Sequence, residues 1–338
     1  MPISVCSQKS KPPVTAVLVT AVGSATGVCV LKALRAQKEI SCRIIGTDIY
    51  SPREIAGSSF CDSFYRVPRA TERDFIPKLI SICKKEKIGV LFPIYDTELE
   101  KISAHRQNFS SKNICVWVSD PKTVNLCNDK YQTSLFFKKN RILSPRTWLP
   151  SQVRGQGVEL PFPVIVKPRK GVGSVGIYWA KNAEELRNIL QKNDEDKELI
   201  LQEGLTGEEY TVDVLCDFKG RSLAIVPRKR IEVKAGVSYK GSTVFNPALI
   251  KESKKIIRAL NIRGACNLQC KLTDKGPNFF EINPRFSAGL SLTVAAGVNG
   301  PLILLKLSKG MRLKPDEIKF KKDVYMARYW EEIFYGQT

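Results

Sequence analysis

Glu281, Asn283 and Arg285 recur at every second position of Glu281-Ile282-Asn283-Pro284-Arg285, a spacing that puts three polar side chains on one face of an extended segment. Phe280 and Ile282 then face a core behind them. The preceding stretch repeats the pattern, with Asn267 and Gln269 pointing one way and Cys266, Leu268 and Cys270 the other. Two neighbouring strands of this kind offer oxygen donors to one cleft. Hard cations such as Mg2+ take oxygens from one or two carboxylates and complete their shell with substrate phosphates and water. Gln269, Glu281 and Asn283 are therefore the candidate metal ligands, with Mg2+ as the expected ion and Mn2+ as its substitute; a solvated edge-strand face is the alternative reading.

A second group of residues suits phosphates. Lys167 ends the apolar run Val164 to Pro168, and Lys170-Gly171-Val172-Gly173-Ser174-Val175-Gly176 follows it. Glycines let backbone amides approach phosphate oxygens while lysines neutralise their charge. The spacing is not that of a P-loop, since no Gly-Lys-Ser/Thr opens a helix, and a mobile turn is the alternative. Downstream, Gln202-Glu203-Gly204-Leu205-Thr206-Gly207-Glu208-Glu209 reads as a hinge. It can offer backbone groups and the Glu203 carboxylate to an adenine edge, Leu205 to its face and Glu209 to ribose hydroxyls. An acidic loop is the other reading.

The elements that position these residues follow from pattern and punctuation. The first ~125 residues alternate apolar runs with amphipathic stretches, as expected of a parallel sheet with crossover helices. Strands are expected at Val14–Thr20, Arg43–Thr47, Val90–Pro93 and Ile114–Val118, with helices following the small-residue turn Ala21–Gly27 through Ala36, over Thr71–Lys87 and over Thr97–Asn108. This is a Rossmann-like half. The turn Gly23 to Gly27 and Asp48 invite comparison with dinucleotide binding, but the glycine spacing is not G-x-G-x-x-G. Beyond Pro121 the pattern changes to mixed strands and helices, with strands at Val164–Pro168, Leu199–Glu203, Thr211–Asp217, Leu223–Pro227, Gly264–Leu272 and Asn278–Asn283. Helices are expected at Ala183–Lys192, Asn246–Leu260 and Pro301–Lys309. Residues Glu232 to Phe245 read as a mobile loop over an acceptor site.

Taken in order, Asp129-Lys130, Val164-Ile165-Val166-Lys167-Pro168, the Gly171 to Gly176 loop, Glu203-x-Leu205-x-Gly207-x-Glu209, Asn267-x-Gln269 and Glu281-Ile282-Asn283-Pro284-Arg285-Phe286 resemble the ATP-grasp superfamily. The likeness is to the branch similar to the carbamoyl-phosphate synthetase large subunit, and it spans Val14 to Met311. It implies an α/β plus α+β chain: an N-terminal Rossmann-like pre-ATP-grasp domain over residues 1–125, a small lobe with a glycine-rich lid over 126–204, and a large lobe with the metal site over 205–338. It further implies ATP held by Lys130 and Lys167 on the phosphates, with Lys170, Gly173 and Ser174 in the closing lid. Glu203 and Leu205 then hold adenine, Glu209 ribose, and Gln269 and its neighbours Mg2+. Arg285 contacts the transferred phosphoryl group, Lys167 assists, and Arg230 with Arg228 adds positive charge. The implied activity is that of a stand-alone ligase joining a carboxylate to an amine through an acyl phosphate, releasing ADP and phosphate. Asp96 and Glu98 are candidate substrate contacts, and His105 is expected on the surface or at a helix cap. The Phe286-Ser287-Ala288-Gly289 stretch has fewer glycines than relatives carry there, which leaves the acceptor undefined.

Composition bounds the setting. Of 338 residues, 43% are hydrophobic and 26% charged, as in globular chains. No apolar run approaches the roughly 20 residues that span a bilayer, and Met1 to Pro13 lacks an apolar segment. Ten cysteines scattered singly, with no CxxC pair, fit reduced thiols. A cytoplasmic protein is expected. The net charge of +21 is spread through helices and loops, so a generally basic surface is the first reading and a nucleic acid is not expected. The resemblance implies small-molecule carboxylate and amine substrates, and a homodimer stays open. Two rival classes remain: a non-catalytic ATP-binding or nucleic-acid-binding protein, and a nicotinamide-dependent oxidoreductase, which leaves Lys167 to Arg285 without a use.

Overall fold

A computed structural model describes residues 14–156, 159–171, 175–192 and 199–336. In its first strand, β1 (Thr15–Val19), Ala16 and Leu18 enter one core while Val17 and Val19 enter another, so the sheet is covered on both faces. Such double burial is what a parallel sheet requires. β1 pairs in parallel with β2 (Cys42–Asp48) and β4 (Val90–Phe92), flanked by β3 (Ser63–Arg66) and β5 (Cys115–Val116), giving the order β3-β2-β1-β4-β5. Helices α1 (Ala25–Ala36), α2 (Phe75–Lys85), α3 (Asp96–Ala104) and α4 (Arg106–Ser110) supply the crossovers. The single helix expected through Asn108 is thus broken at His105, whose Nδ1 lies 2.9 Å from the Lys101 carbonyl at the end of α3. The strand β3 lacks strict apolar alternation and was not expected.

Helices α5 (Pro121–Asn128) and α6 (Lys130–Lys139) lead out of this sheet, each opened by an aspartate that accepts backbone N–H bonds, Asp120 and Asp129. A four-stranded antiparallel sheet follows in the order β6-β9-β7-β8, built from β6 (Thr147–Trp148), β7 (Val164–Pro168), β8 (Tyr178–Ala180) and β9 (Leu199–Glu203). Helices α7 (Pro150–Gln156) and α8 (Ala183–Lys192) accompany it.

The last sheet is antiparallel with the order β14-β13-β10-β11-β12-β15. Its strands are β10 (Glu208–Cys216), β11 (Ser222–Lys234), β12 (Val237–Thr243), β13 (Gly264–Thr273), β14 (Gly276–Asn283) and β15 (Tyr325–Ala327). Helix α9 (Pro247–Leu260) covers its back face, while α10 (Leu290–Ala295) and α11 (Gly300–Ser308) join it to the first sheet. Residues 232–245 correct the loop expectation. β11 runs on to Lys234, turns at Ala235 and Gly236 with positive φ, and returns as β12 paired antiparallel with it through two register shifts around Glu232. Among the described residues no helix is long and apolar enough to cross a membrane, and the nine described cysteines are free.

Candidate active site

The period-two pattern of β13 and β14 places Cys266, Leu268, Cys270 and Ile282 in the core behind the sheet, while Asn267, Gln269, Glu281 and Asn283 line a cleft of about 550 Å3 on the other side. Gln269 and Glu281 are paired residues across the two strands. The pattern fails at Phe280. A bulge shifts the register between Gln269 and Cys270, so Phe279 takes the core position and Phe280 turns toward the cleft. There the Lys167 Nζ lies 5.7 Å from its ring centroid. Phe280 is a cleft residue that alternation alone assigned to the wrong side.

Lys167 enters from β7 and is buried, donating to the Gln202 side chain at 2.8 Å. Burial pushes its ammonium down to about 8, against the pull of the nearby Glu281 carboxylate. Gln202 is a positioning group the sequence left without a role, although it sits beside the expected hinge. Lys130 donates from the start of α6 to the Gly171 carbonyl at 2.9 Å, at the mouth of the glycine-rich loop. Lys170, expected in the closing lid, is exposed and stands outside the cleft lining. Gly173 and Ser174 lie outside the described residues. Glu203, Leu205 and Glu209 all line the cleft, as expected of the hinge. Glu203 also pairs with Arg146 at 3.2 Å.

Three arginines also line the cleft. Arg230 pairs with Glu209 at 2.8 Å and reaches the Gln269 side-chain oxygen at 3.2 Å, leaving a buried Nε without a partner. Arg228, 2% exposed, is held by Asp213 and by the Ser287 hydroxyl, both at 2.8 Å. Its guanidinium fills the space above Gly289, where a Cβ would sit 2.0 Å from Nη1. Arg285 forks onto Asp96 through three bonds of 2.8–3.0 Å, reaching from the last sheet to the first helix beyond β4. Asp96 is thus in the cleft, but Glu98 is not. It is buried against the Thr20 hydroxyl, and burial pushes its carboxyl up to about 7, which corrects its reading as a substrate contact.

The donor set fits a hard cation and polyphosphate. Among the described residues no three His, Cys, Asp or Glu side chains gather as a metal site, so a cation here relies on the Glu281 carboxylate and amide oxygens. The Asn283 amide nitrogen donates to Glu281 at 3.2 Å, which keeps both side chains on the same side of β14. Bound phosphate and water complete the shell that such a sparse protein set leaves open. Ile165, Leu205 and Phe280 supply apolar walls beside these charges, as a nucleoside needs.

Known proteins share this architecture. Residues 195–332 match the family described as "ATP-grasp in the biosynthetic pathway with Ter operon", and residues 17–117 match the PylC-like N-terminal domain. The carbamoyl phosphate synthase large chain of Caldanaerobacter subterraneus subsp. tengcongensis is 32% identical over 175 residues, 47% of this chain and 16% of that protein. The chain therefore corresponds to a small part of that relative. Among solved structures, the ADP complex of N5-carboxyaminoimidazole ribonucleotide synthetase superposes with a TM-score of 0.74 at 14% identity, covering 94% of this chain and 81% of its own. Biotin carboxylase from Campylobacter jejuni superposes with a TM-score of 0.71 at 15% identity, covering 91% and 74%. Residues 195–332 are thus similar to an ATP-grasp family and residues 17–117 to the PylC-like N-terminal domain. About half of the chain is similar to a stretch of the carbamoyl phosphate synthase large chain.

Proposed function

We propose that this chain is an ATP-dependent ligase that joins a carboxylate to an amine. The carboxylate oxygen attacks the γ-phosphorus and ADP leaves; the amine then attacks the acyl carbon, phosphate leaves and the amine loses a proton. One observation carries this reading: Lys130, Lys167, Glu281, Arg230 and Arg285 converge on one cleft from helix α6, the second sheet and the last sheet. Phosphoryl transfer asks for positioning and charge neutralisation more than for a protein nucleophile.

In this reading Lys130 and Lys167 hold the phosphates, under a loop that includes Lys170, Gly173 and Ser174. Glu203, Leu205 and Phe280 hold the base and Glu209 the ribose. Gln269, Glu281 and Asn283 hold Mg2+, which when bound neutralises phosphate charge and aligns the γ-phosphoryl group. Arg230 and Arg285 face the acceptor. The proposed division into residues 1–125, 126–204 and 205–338 follows the three sheets. Small-molecule carboxylate and amine substrates suit a cleft of this size, and the nine free cysteines among the described residues suit the reducing cytoplasm.

The test mixes the protein and Mg·ATP with pooled carboxylates and pooled amines while ADP and phosphate are followed, with Glu281→Gln as the blank. Release that needs both pools and falls more than about 100-fold in the variant supports the ligase. Bound ATP with no release from any pool overturns it in favour of an ATP-binding protein.

A further inference from the structure

The basic residues look dispersed along the chain, yet folding gathers a third of the net charge on the face opposite the cleft. Residues 138–141 and 251–263 hold eight Lys and Arg against one acid, Glu252, a net +7 in 17 residues of a chain carrying +21. Helix α9 buries Leu249, Ile256, Ile257 and Leu260 in the core behind the last sheet. Its outer stripe reads Lys251, Lys254, Lys255 and Arg258, all exposed, at the i, i+3, i+4, i+7 spacing that makes one face. Helix α6 packs on the same core through Phe137 and ends in the exposed Lys138 and Lys139, with Arg141 just beyond. The Lys255 ammonium donates to the Arg141 carbonyl at 2.8 Å and so joins the two helices into one surface.

Among the described residues most of these charges have no ion-pair partner: only Lys255 has an acidic one, Glu252 at 3.9 Å, and Lys138, Lys139, Arg141, Lys251, Lys254 and Arg258 have none. Beyond the end of α9, burial first and the nearby Arg263 second disfavour the Arg106 charge, against the pull of Asp120, and Arg106 keeps a buried Nη1 without a hydrogen-bond partner. Like charges held together with few counter-ions carry a cost that an anionic partner relieves.

We propose that this face binds the sugar–phosphate backbone of a nucleic acid without reading its sequence. Phosphates are contacted chiefly by Lys and Arg and carry no base information. A protein partner is disfavoured because protein interfaces deplete lysine and use aromatic anchors. Neither segment carries an exposed large apolar side chain, and the flanking Leu135 and Leu143 are isolated and 42% and 38% exposed. The proposal does not rest on the ligase reading, since none of these side chains enters the cleft.

The test is fluorescence anisotropy of a short labelled DNA duplex with the full chain across a salt series. Binding is expected at low salt, independent of duplex sequence, with log K falling against log salt at a slope near −6 for about seven contacts. The triple variant Lys251→Gln, Lys254→Gln, Arg258→Gln removes exposed groups only. It is expected to keep the melting temperature, to lower the slope magnitude by about three and to weaken binding more than about tenfold. No binding at low salt, or an unchanged slope in the variant, overturns the proposal. Displacement of the duplex by poly-glutamate at matched charge also overturns it, and assigns the face to an acidic protein.

Discussion

Burial and charge conflict at Lys167, and the conflict predicts a pH profile. Its ammonium sits at about 8 against an ordinary 10.5 because burial disfavours the charged form. Nucleotide phosphates favour that form, so nucleotide affinity is expected to be full below about pH 8 and to fall as pH rises through it. Lys167→Arg keeps its charge throughout and is expected to flatten the decline, as titration with a fluorescent ATP analogue over about pH 7 to 10 would record. Stability runs the other way. A folded value below the unfolded one means the lysine's contribution is present above 10.5 and lost as pH falls through 8. Lys167→Met is therefore expected to be more stable than wild type at neutral pH, by about 1–3 kcal/mol, with the gain vanishing in alkali. Gly289 illustrates a purely steric constraint. Its φ of −90° suits any residue, but a Cβ meets the Arg228 guanidinium at 2.0 Å, and that group is pinned by Asp213 and Ser287. Gly289→Ala is expected to cost about 1–3 kcal/mol in chemical denaturation, through displacement of Arg228.

Among the elements, the hairpin β11–β12 and the chain beyond β15 act together. Arg328 donates to the Ser238 carbonyl at 3.0 Å and also to that of Ala288, both in the cleft wall, while the Tyr335 hydroxyl reaches the Ile55 carbonyl at 3.0 Å. The tail thus straps the end of the cleft to the N-terminal domain. Arg328→Ala is expected to speed amide exchange across 237–243 and 287–291 and to leave β13 and β14 unchanged; uniform exchange with wild type would show that the strap holds nothing. Such links between distant segments were not legible in the sequence. Asp96 and Arg285 stand 189 residues apart, and nothing in either segment names its partner. What was legible rests on local periodicity: the cleft face of β13 and β14 follows from alternation, and helix α9 from its Asn246 cap and apolar stripe. Alternation also failed locally, since one bulge moved Phe280 to the cleft. Strands of two or three residues, β6 and β8, are too short to display a period at all.

On the scale of the whole molecule, the hydrophobic cores divide the chain differently from its sheets. One core runs from Val17, Leu31 and Phe92 of the first domain through Leu215, Phe286 and Leu304 of the last, so those two units share their interior. Trp117 stacks on Phe218 at 4.1 Å across the same boundary, and Lys306 of α11 pairs with Glu39 and with Glu317. The sheet β6–β9 has a separate small core made from residues 164–201, including Val164, Val166, Leu186 and Leu201. Apolar burial sets local opening free energy, so this lobe is expected to open well before the rest. Hydrogen exchange should show β7 and β9 amides exchanging faster than those of β1 and β13, in a separate cooperative group. Lys167 and Gln202 belong to that lobe, whereas Gln269 and Glu281 belong to the shared unit. A ligand that spans the cleft must therefore join the two. Mg·ATP at about 100 times its dissociation constant is expected to stabilise the lobe by about 2.7 kcal/mol, slowing β7 and β9 exchange roughly 100-fold. Slowing confined to β13 and β14 would mean that the nucleotide is held by the last sheet alone, and that Lys167 does not bind it.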